Sequence, residues 1–289
     1  MKQIIIQILS FFFRLVDALL CRLHLKRPKI VIYMDGGICS QIYIYVKGQY
    51  YAEHGFDVRY DIRWFNVCGK DQFGNMPRVF ELLDMWPNLP FKSLSDFARK
   101  YYLLFFQAKH TDSDWLPEPA SIKRSVYFYN YWNIPSDDYD RIFAKYFDLT
   151  LARVPEFVDN DYAQCVGVHV RRGDLAKGDN PAYGGVTEGY FMRALDFCNE
   201  RYAPKKYIFF SDEPDWVEQN ICNHLKHPCF IMRDNKAWVD LWALSHCPVI
   251  VASQGSFGRM AAHLNPEAVL IQCDNKYANT GKKNSYLIP

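Results

Sequence analysis

The sequence predicts an α/β fold built on parallel sheets. Short apolar runs alternate with amphipathic segments of helical length, most regularly in the second half of the chain. Strands and helices that alternate in this way form parallel sheets with helices on both faces. Because the chain has 289 residues, it is long enough for two such units.

The first half opens with a predicted β-loop-α-β unit. Residues 29–34 form an apolar strand, a turn with two glycines follows, and residues 40–54 form a helix that ends at Gly55. A second strand is expected at residues 57–65. The stretch from 66 to 159 is less regular, with helices predicted near 78–85, 95–106 and 137–147 and a strand at 126–132.

The second half has the clearer alternation of strands and helices. Thr187 is a suitable N-cap for the first of its helices, and Pro214 fits the first turn of another. The predicted strands are 165–170, 206–210, 230–232, 249–252 and 268–272, and the predicted helices are 187–202, one starting near 211–214, 237–246 and 255–264.

Composition excludes several functional classes. With 34 basic and 32 acidic residues the net charge is +2, which does not predict nucleic-acid binding. The nine cysteines are scattered without a CxxC pair, which favours a reducing cytoplasm over a disulfide framework. Cysteine and histidine show no zinc-ligand spacing.

Residues 3–25 are strongly apolar apart from one narrow polar stripe at helical spacing. Arg14 and Asp17 lie in mid-segment, which disfavours a membrane-spanning helix, and no small-residue cleavage site follows, as a signal peptide would need. Two interpretations remain open: peripheral contact with the inner membrane surface, aided by the basic residues that follow, or packing on the chain's own domain.

Four strand-to-loop junctions carry the candidate chemistry. Ligands of parallel α/β sheets bind beyond the carboxyl ends of the strands. Two arginines leave the strand at 165–170, and guanidinium groups match phosphate oxygens. Alternatively, these arginines are structural ion pairs. The junctions are His169–Asp174, Phe210-Ser211-Asp212, Ser253–Gly258 and Asp35–Gln41.

In this order the four motifs resemble those of the fucosyltransferase superfamily, and most closely glycosyltransferase family 11, the bacterial α-1,2-fucosyltransferases. His169 to Asp174 matches the family's HxRRGD motif, and Gly36 to Gln41 resembles its GGLGNQ. Phe210 to Asp212 resembles FSD, and Asp240 to Asn265 resembles the closing DL…SSF…AAWLN region. The resemblance implies a GT-B-like fold in which two doubly wound, Rossmann-type domains face a cleft.

The resemblance also implies domain and ligand assignments. An N-terminal amphipathic helix (1–27), an acceptor-side domain (28–158) and a GDP-sugar-binding domain (159–289) are expected. The donor would be GDP-L-fucose, the acceptor a galactose-containing glycan, and no metal or other cofactor would be required. The expected donor-binding residues are His169, Arg172, Ser211, Asp212, Ser256, Phe257, Gly36, Gly37 and Gln41.

The expected catalytic residues are Arg171, which would hold the donor's β-phosphate, Asp174, which together with Arg172 would shape the loop, and Asp179. Asp179 and Asp35 are alternative candidates for the general base that an inverting transfer needs. Cys39 and Ser40 depart from the family's Gly-Asn, and this leaves the acceptor and the linkage open.

Two other functions remain as alternatives. A metal-dependent GT-A transferase would need a DxD motif at a strand end, and 112–114 and 159–161 both spell one. A non-catalytic sugar- or nucleotide-binding protein on a transferase scaffold would explain the departures from the family motifs.

Overall fold

A computed structural model describes residues 2–70, 77–108, 115–129, 133–156, 162–173, 187–274, 282 and 284–289. The chain forms two compact units. Unit 1 comprises Met1–Leu83 and Asn88–Phe147, and unit 2 comprises Asp84–Pro87 and Asp148–Pro289. The division therefore falls within the predicted 28–158 domain, and the N-terminal helix is part of unit 1.

Unit 1 is built on a small parallel sheet with strand order β2-β1-β3. Lys29 pairs in register with Asp57, and Ile30 with Val126, so the three strands share one carboxyl edge. Through this part of the chain the elements are α1 (Lys2–Arg22), β1 (Lys29–Tyr33), α2 (Ile38–Glu53), β2 (Asp57–Asp61), α3 (Trp64–Val67), α4 (Leu82–Met85), α5 (Asp96–Phe106), β3 (Val126–Phe128) and α6 (Ser136–Tyr146).

The predicted extension of the second strand to residue 65 is wrong. The strand ends at Asp61, whose carboxylate accepts a hydrogen bond from the Arg63 backbone N–H at 3.1 Å. This side-chain bond turns the backbone, and the short helix α3 begins at Trp64. The same carboxylate also accepts a hydrogen bond from the Tyr127 hydroxyl at 2.7 Å, which ties the end of β2 to β3.

Unit 2 is a six-stranded parallel sheet with strand order β6-β5-β4-β7-β8-β9. Counted within the unit, this order is 3-2-1-4-5-6, that of the doubly wound dinucleotide-binding fold. Its elements are β4 (Cys165–Val170), α7 (Glu188–Tyr202), β5 (Lys206–Ser211), α8 (Pro214–Asn220), β6 (Cys229–Met232), α9 (Ala237–Ser245), β7 (Val249–Ala252), α10 (Phe257–Leu264), β8 (Val269–Cys273) and β9 (Ser285–Ile288).

The predicted α/β class, with two units that each carry a parallel sheet, is confirmed. The predicted cap is also present, since the Thr187 side chain accepts from the Tyr190 N–H. Strand β9 is absent from the sequence-based assignment.

The central strand β4 is packed closely from one side. A Cβ added at Gly167 would lie 2.6 Å from the Leu244 side chain and 2.8 Å from the Cys247 sulfur. A glycine here therefore allows the segment from α9 to Cys247 to approach the sheet directly. On the other face Val166, Val168 and Val170 join a buried apolar cluster with residues of α7. Both faces of β4 are thus covered, and its functional side chains lie at its carboxyl end.

Candidate active site

The candidate site of unit 2 lies where the strand order of the sheet reverses. β4 pairs with β5 on one side and with β7 on the other. From these two neighbours the sheet continues outward in opposite directions, from β5 to β6 and from β7 to β8 and β9. A crevice forms at the carboxyl ends of such strands, and ligands of this fold class bind there. Arg171 follows β4 and Ser253 follows β7, so both residues lie at this point.

Ser253 joins the two loops. Its buried hydroxyl accepts a hydrogen bond from the Arg171 backbone N–H at 3.0 Å, and its own N–H donates to the His169 carbonyl at 3.0 Å. These bonds set where the Arg171 side chain leaves the backbone. Ser253 lies in one of the four motifs of the sequence, but it was not among the predicted site residues.

His169 lies beneath this junction and not at its surface. Its Nδ1 is 3.1 Å from the Ser253 hydroxyl oxygen, and its ring stacks on Phe257 with centroids 5.1 Å apart. Burial, together with the positive charge of Arg171, lowers the pKa of His169 to about 3. The imidazole is therefore neutral at physiological pH, and it supports the loop through a hydrogen bond and a ring contact.

The loop after β7 passes beside the Arg171 side chain. Gly255 has φ 108°, a conformation that side-chain-bearing residues rarely adopt. A Cβ built there would lie 3.6 Å from both Cδ and Nη1 of Arg171. Ser256 is the N-cap residue of α10, and its side chain makes no capping hydrogen bond. A guanidinium thus lies close to a helix N-terminus, where backbone N–H groups and the helix dipole both favour an anion.

Arg172 has a different environment from Arg171. Its backbone N–H donates to Asp212 at 2.9 Å, its Nε donates to Glu213 at 3.0 Å, and its guanidinium lies 3.8 Å from the centroid of the Trp216 ring. These contacts, all within unit 2, make Arg172 a support of the loop. For Arg172, the contacts therefore agree with the alternative interpretation, in which the arginine forms a structural ion pair.

Asp212 and Ser211 hold the same loop from β5. A Cβ added at Gly173 would lie 2.7 Å from an Asp212 carboxylate oxygen, so a side chain at this position would displace that carboxylate. The Ser211 hydroxyl accepts from the Glu213 N–H at 3.0 Å. Both side chains therefore position the start of α8 and the arginine loop, and their predicted contacts with the donor stay predictions.

Unit 1 presents a second polar group at the carboxyl edge of its own sheet. Asp35 follows β1, and burial raises the pKa of its carboxyl to about 6. A carboxylate with a pKa close to working pH suits a general base. Gly36 has φ 77°, and a Cβ added at Gly37 would lie 3.7 Å from the Arg78 guanidinium, which places a cation beside the glycine turn.

Two tyrosines lie near this edge. Tyr33 ends β1, and Tyr129 follows β3, with ring centroids 4.4 Å apart. Tyr129 is exposed, so the pair offers an aromatic surface of the kind that packs against sugar rings. Neither tyrosine was among the site residues predicted from the sequence, and neither was Arg78. The strand-end position of Tyr33 is the one sequence signal that could have selected it.

The Gln41 side chain holds the glycine turn in place. It is fully buried, and its amide donates to the carbonyls of Gly36 and Val79 at 3.4 and 2.8 Å. Its carbonyl oxygen accepts from the N–H groups of Glu81 and Leu82 at 2.9 and 3.0 Å. Because these four bonds use the whole amide, the structure does not support the predicted direct contact between Gln41 and the donor.

Several predicted residues lie outside the described part of the chain. These are Asp174, Asp179, and the two acidic triplets at 112–114 and 159–161. Among the residues that the structure describes, no group of three His, Cys, Asp or Glu side chains is arranged to hold a metal ion.

The sequence matches the family model described as Glycosyl transferase family 11 over residues 102–287, more than half of the chain. It is 24% identical over 268 residues to an Escherichia coli alpha-1,2-colitosyltransferase, covering 81% of this chain and 87% of that protein. It is 30% identical over 103 residues to human galactoside alpha-(1,2)-fucosyltransferase 1, covering 34% of this chain and 28% of that protein.

Among solved structures, the fold is similar to that of an Arabidopsis thaliana FUT1 mutant in complex with GDP. The TM-score is 0.46 at 13% identity, and the alignment covers 89% of this chain and 73% of that one.

Proposed function

Since the chain belongs to glycosyl transferase family 11 and is a glycosyltransferase of the fucosyltransferase type, we propose that it transfers L-fucose from GDP-β-L-fucose to a galactose hydroxyl in α-1,2 linkage. The observation that carries this proposal is the position of Arg171. Ser253 anchors it at the switch point of a doubly wound sheet, next to the N-terminus of α10.

The chemistry explains why a cation is needed there. As the bond between the sugar C1 and the β-phosphate oxygen breaks, its electron pair stays with GDP and negative charge grows on the diphosphate. A fixed guanidinium and the α10 N-terminus stabilise this charge more strongly than they stabilise the bound donor. They would do so without a divalent ion, so activity is expected to persist in EDTA.

The acceptor in this displacement needs a base. The acceptor hydroxyl attacks C1 from the face opposite the leaving group, which inverts the anomeric centre, and its proton passes to a carboxylate. Asp35 is the candidate that the described residues support, because burial has raised its pKa to about 6. Asp179 remains the alternative.

The names of the relatives support the linkage more than the sugar. The E. coli protein is named an alpha-1,2-colitosyltransferase and the human protein a galactoside alpha-(1,2)-fucosyltransferase, so α-1,2 is common to both names. The E. coli relative aligns over far more of this chain than the human one. GDP-colitose is therefore the second donor to be tested.

The test is a donor panel with galactoside acceptors and product linkage read by NMR. Arg171→Ala is expected to lose nearly all transfer, because the variant lacks the guanidinium that stabilises the charge on the departing diphosphate. Arg201→Ala is the matched control, since its guanidinium lies over the Tyr286 ring at 4.8 Å. Arg171→Ala turnover equal to that of the control would refute the proposal, and transfer from GDP-colitose alone would correct the donor.

A further inference from the structure

The N-terminal helix α1 is amphipathic in an inverted sense. Its polar stripe faces unit 1: Ser10 and Arg14 donate to the Phe105 carbonyl at 3.0 and 2.6 Å, and buried Asp17 accepts from the Ser125 N–H at 2.7 Å. Phe13 packs against Tyr101 and Phe105 of unit 1, whereas most of the other apolar residues of α1 point away from the protein. The exposed apolar side chains are Ile4, Ile5, Ile8, Leu9, Phe11, Phe12, Leu15, Val16 and Leu19.

This arrangement defines how α1 can meet a bilayer. By length and composition, residues Gln3–Arg22 could cross a membrane. However, the residues bonded to unit 1 lie in the middle of the helix, and α1 packs along α5. A helix attached to a globular unit through its middle lies on that unit's surface. It can therefore place its apolar face in a membrane interface, parallel to the bilayer plane.

A basic cavity of about 570 Å³ lies at the C-terminal end of α1. Five cationic residues line it: Lys26, Arg27, Lys29, Arg59 and Lys92. Among the described residues, Asp57 is the one acidic residue in the lining. Because Lys29 and Asp57 are the first residues of β1 and β2, the cavity lies at the amino edge of the unit 1 sheet, opposite the carboxyl edge that carries Asp35.

The cations of the cavity are only partly neutralised. Asp57 accepts from Arg59 at 3.1 Å and lies 3.5 Å from the Lys29 ammonium, while Lys26 pairs with Asp17. Arg27 and Lys92 form no ion pair among the described residues, and both are exposed. The cavity therefore has a net positive charge and two cations available to an outside anion. Leu23 and Leu25, both exposed, lie in the segment between the end of α1 and Lys26, the first residue of the cavity.

We propose that the apolar face of α1 and the basic cavity form one membrane-binding site, in which the helix lies in the bilayer interface and the cavity binds the phosphate of an anionic phospholipid headgroup. An apolar face next to a basic concavity matches the order of groups in a lipid, with acyl chains beside a phosphate. The site is separate from the transfer reaction, so its test requires neither donor nor acceptor.

The helix is tested by flotation of the full chain with vesicles. In the variant Phe11→Ser/Leu15→Ser, the two side chains are 72% and 56% exposed, so folding should be retained. We expect its partition coefficient to fall at least about 100-fold, because each side chain contributes strongly to apolar burial. The control is Leu151→Ser/Val154→Ser, with 60% exposure at each position, and it should float as the wild type does.

The cavity is tested with Arg27→Gln/Lys92→Gln. On vesicles with about a third phosphatidylglycerol, two lost cations should weaken partitioning about 30-fold, and binding to phosphatidylcholine alone should not change. The matched control Lys205→Gln/Lys226→Gln removes two exposed lysines of unit 2. Thermal melts by circular dichroism check that all variants fold.

Several results would overturn this inference. Equal flotation of either test variant and the wild type would exclude the corresponding half of the site. Wild-type binding to inorganic phosphate that Arg27→Gln/Lys92→Gln abolishes, without any flotation, would identify a free-phosphate pocket instead. A wild-type dimer in light scattering that Phe11→Ser/Leu15→Ser dissociates, again without flotation, would show that a second copy covers the helix.

Discussion

Gly255→Ala tests whether the loop after β7 positions Arg171. The new Cβ would lie 3.6 Å from Arg171, which is ordinary van der Waals contact, so crowding contributes little. The main effect is on the backbone, because φ 108° is strained for any residue with a side chain. Such strain costs about 1–3 kcal/mol. If the loop relaxes to remove it, the surface beside the guanidinium moves.

The matched control is Gly55→Ala in unit 1. Gly55 has φ 87°, and a Cβ added there meets nothing within 4 Å. Both variants should therefore lose about 1–3 kcal/mol of unfolding free energy in urea titrations. In contrast, kcat/KM for the donor should fall by about 10- to 100-fold in Gly255→Ala alone, since a displacement of about 1 Å at a catalytic group can reduce rate 100-fold. Equal kcat/KM in the two variants would show that the loop does not position Arg171.

Three further predictions follow from the same contacts. Asp35→Asn should reduce kcat by about 10²–10⁴-fold if Asp35 is the base, and an unchanged kcat would assign the base elsewhere. The same variant should raise Tm at pH 8 but not near pH 4. The reason is that the folded-state pKa of Asp35 is raised to about 6, so ionisation of this carboxyl destabilises the fold only as pH rises towards and above that value. Arg171→Lys should lose most kcat/KM, whereas Arg172→Lys should mainly lose the stacking contact with Trp216, about 1 kcal/mol of stability; the reverse pattern in kinetics and melts would exchange their roles. Gly258→Ala should unfold at markedly lower temperature, because its Cβ would lie 2.6 Å from that of Ala252, and a Tm within about a degree of wild type would contradict the close packing of α10 on β7.

The sequence predicts the α/β class because apolar runs and amphipathic helices alternate, and it indicates Arg171 because the arginine follows such a run. The local pattern did not distinguish Arg171 from Arg172, and only the family resemblance gave them different roles. Their difference depends on Trp216 and Glu213, which reach Arg172 only after β4 and β5 have paired. Local pattern alone contains no information about that pairing.

Long-range contacts explain the other differences in the same way. Ser253 lies 84 residues from His169 in the sequence, and they meet only because β7 pairs with β4. Gln41 matches a family position, but its burial depends on a contact with Val79, 38 residues further along the chain, and no local pattern in the sequence indicates that contact. For α1, the polar stripe was visible in the sequence. That the stripe faces the protein became clear only from its bonds to Phe105 and Ser125.

The environment of His169 determines how a pH profile of this enzyme should be read. A histidine in a catalytic motif would ordinarily explain an activity change near neutral pH. Here burial and Arg171 lower its pKa to about 3, so it stays neutral across the working range and cannot produce that change. Burial raises the pKa of both Asp35 and Asp240 to about 6, so either could produce an acidic limb. Since Asp240 accepts a hydrogen bond from Asn235 on unit 2, Asp35→Asn would leave its titration intact. Loss of the limb in that variant would therefore assign it to Asp35, and a limb that persists would exclude Asp35 as its source.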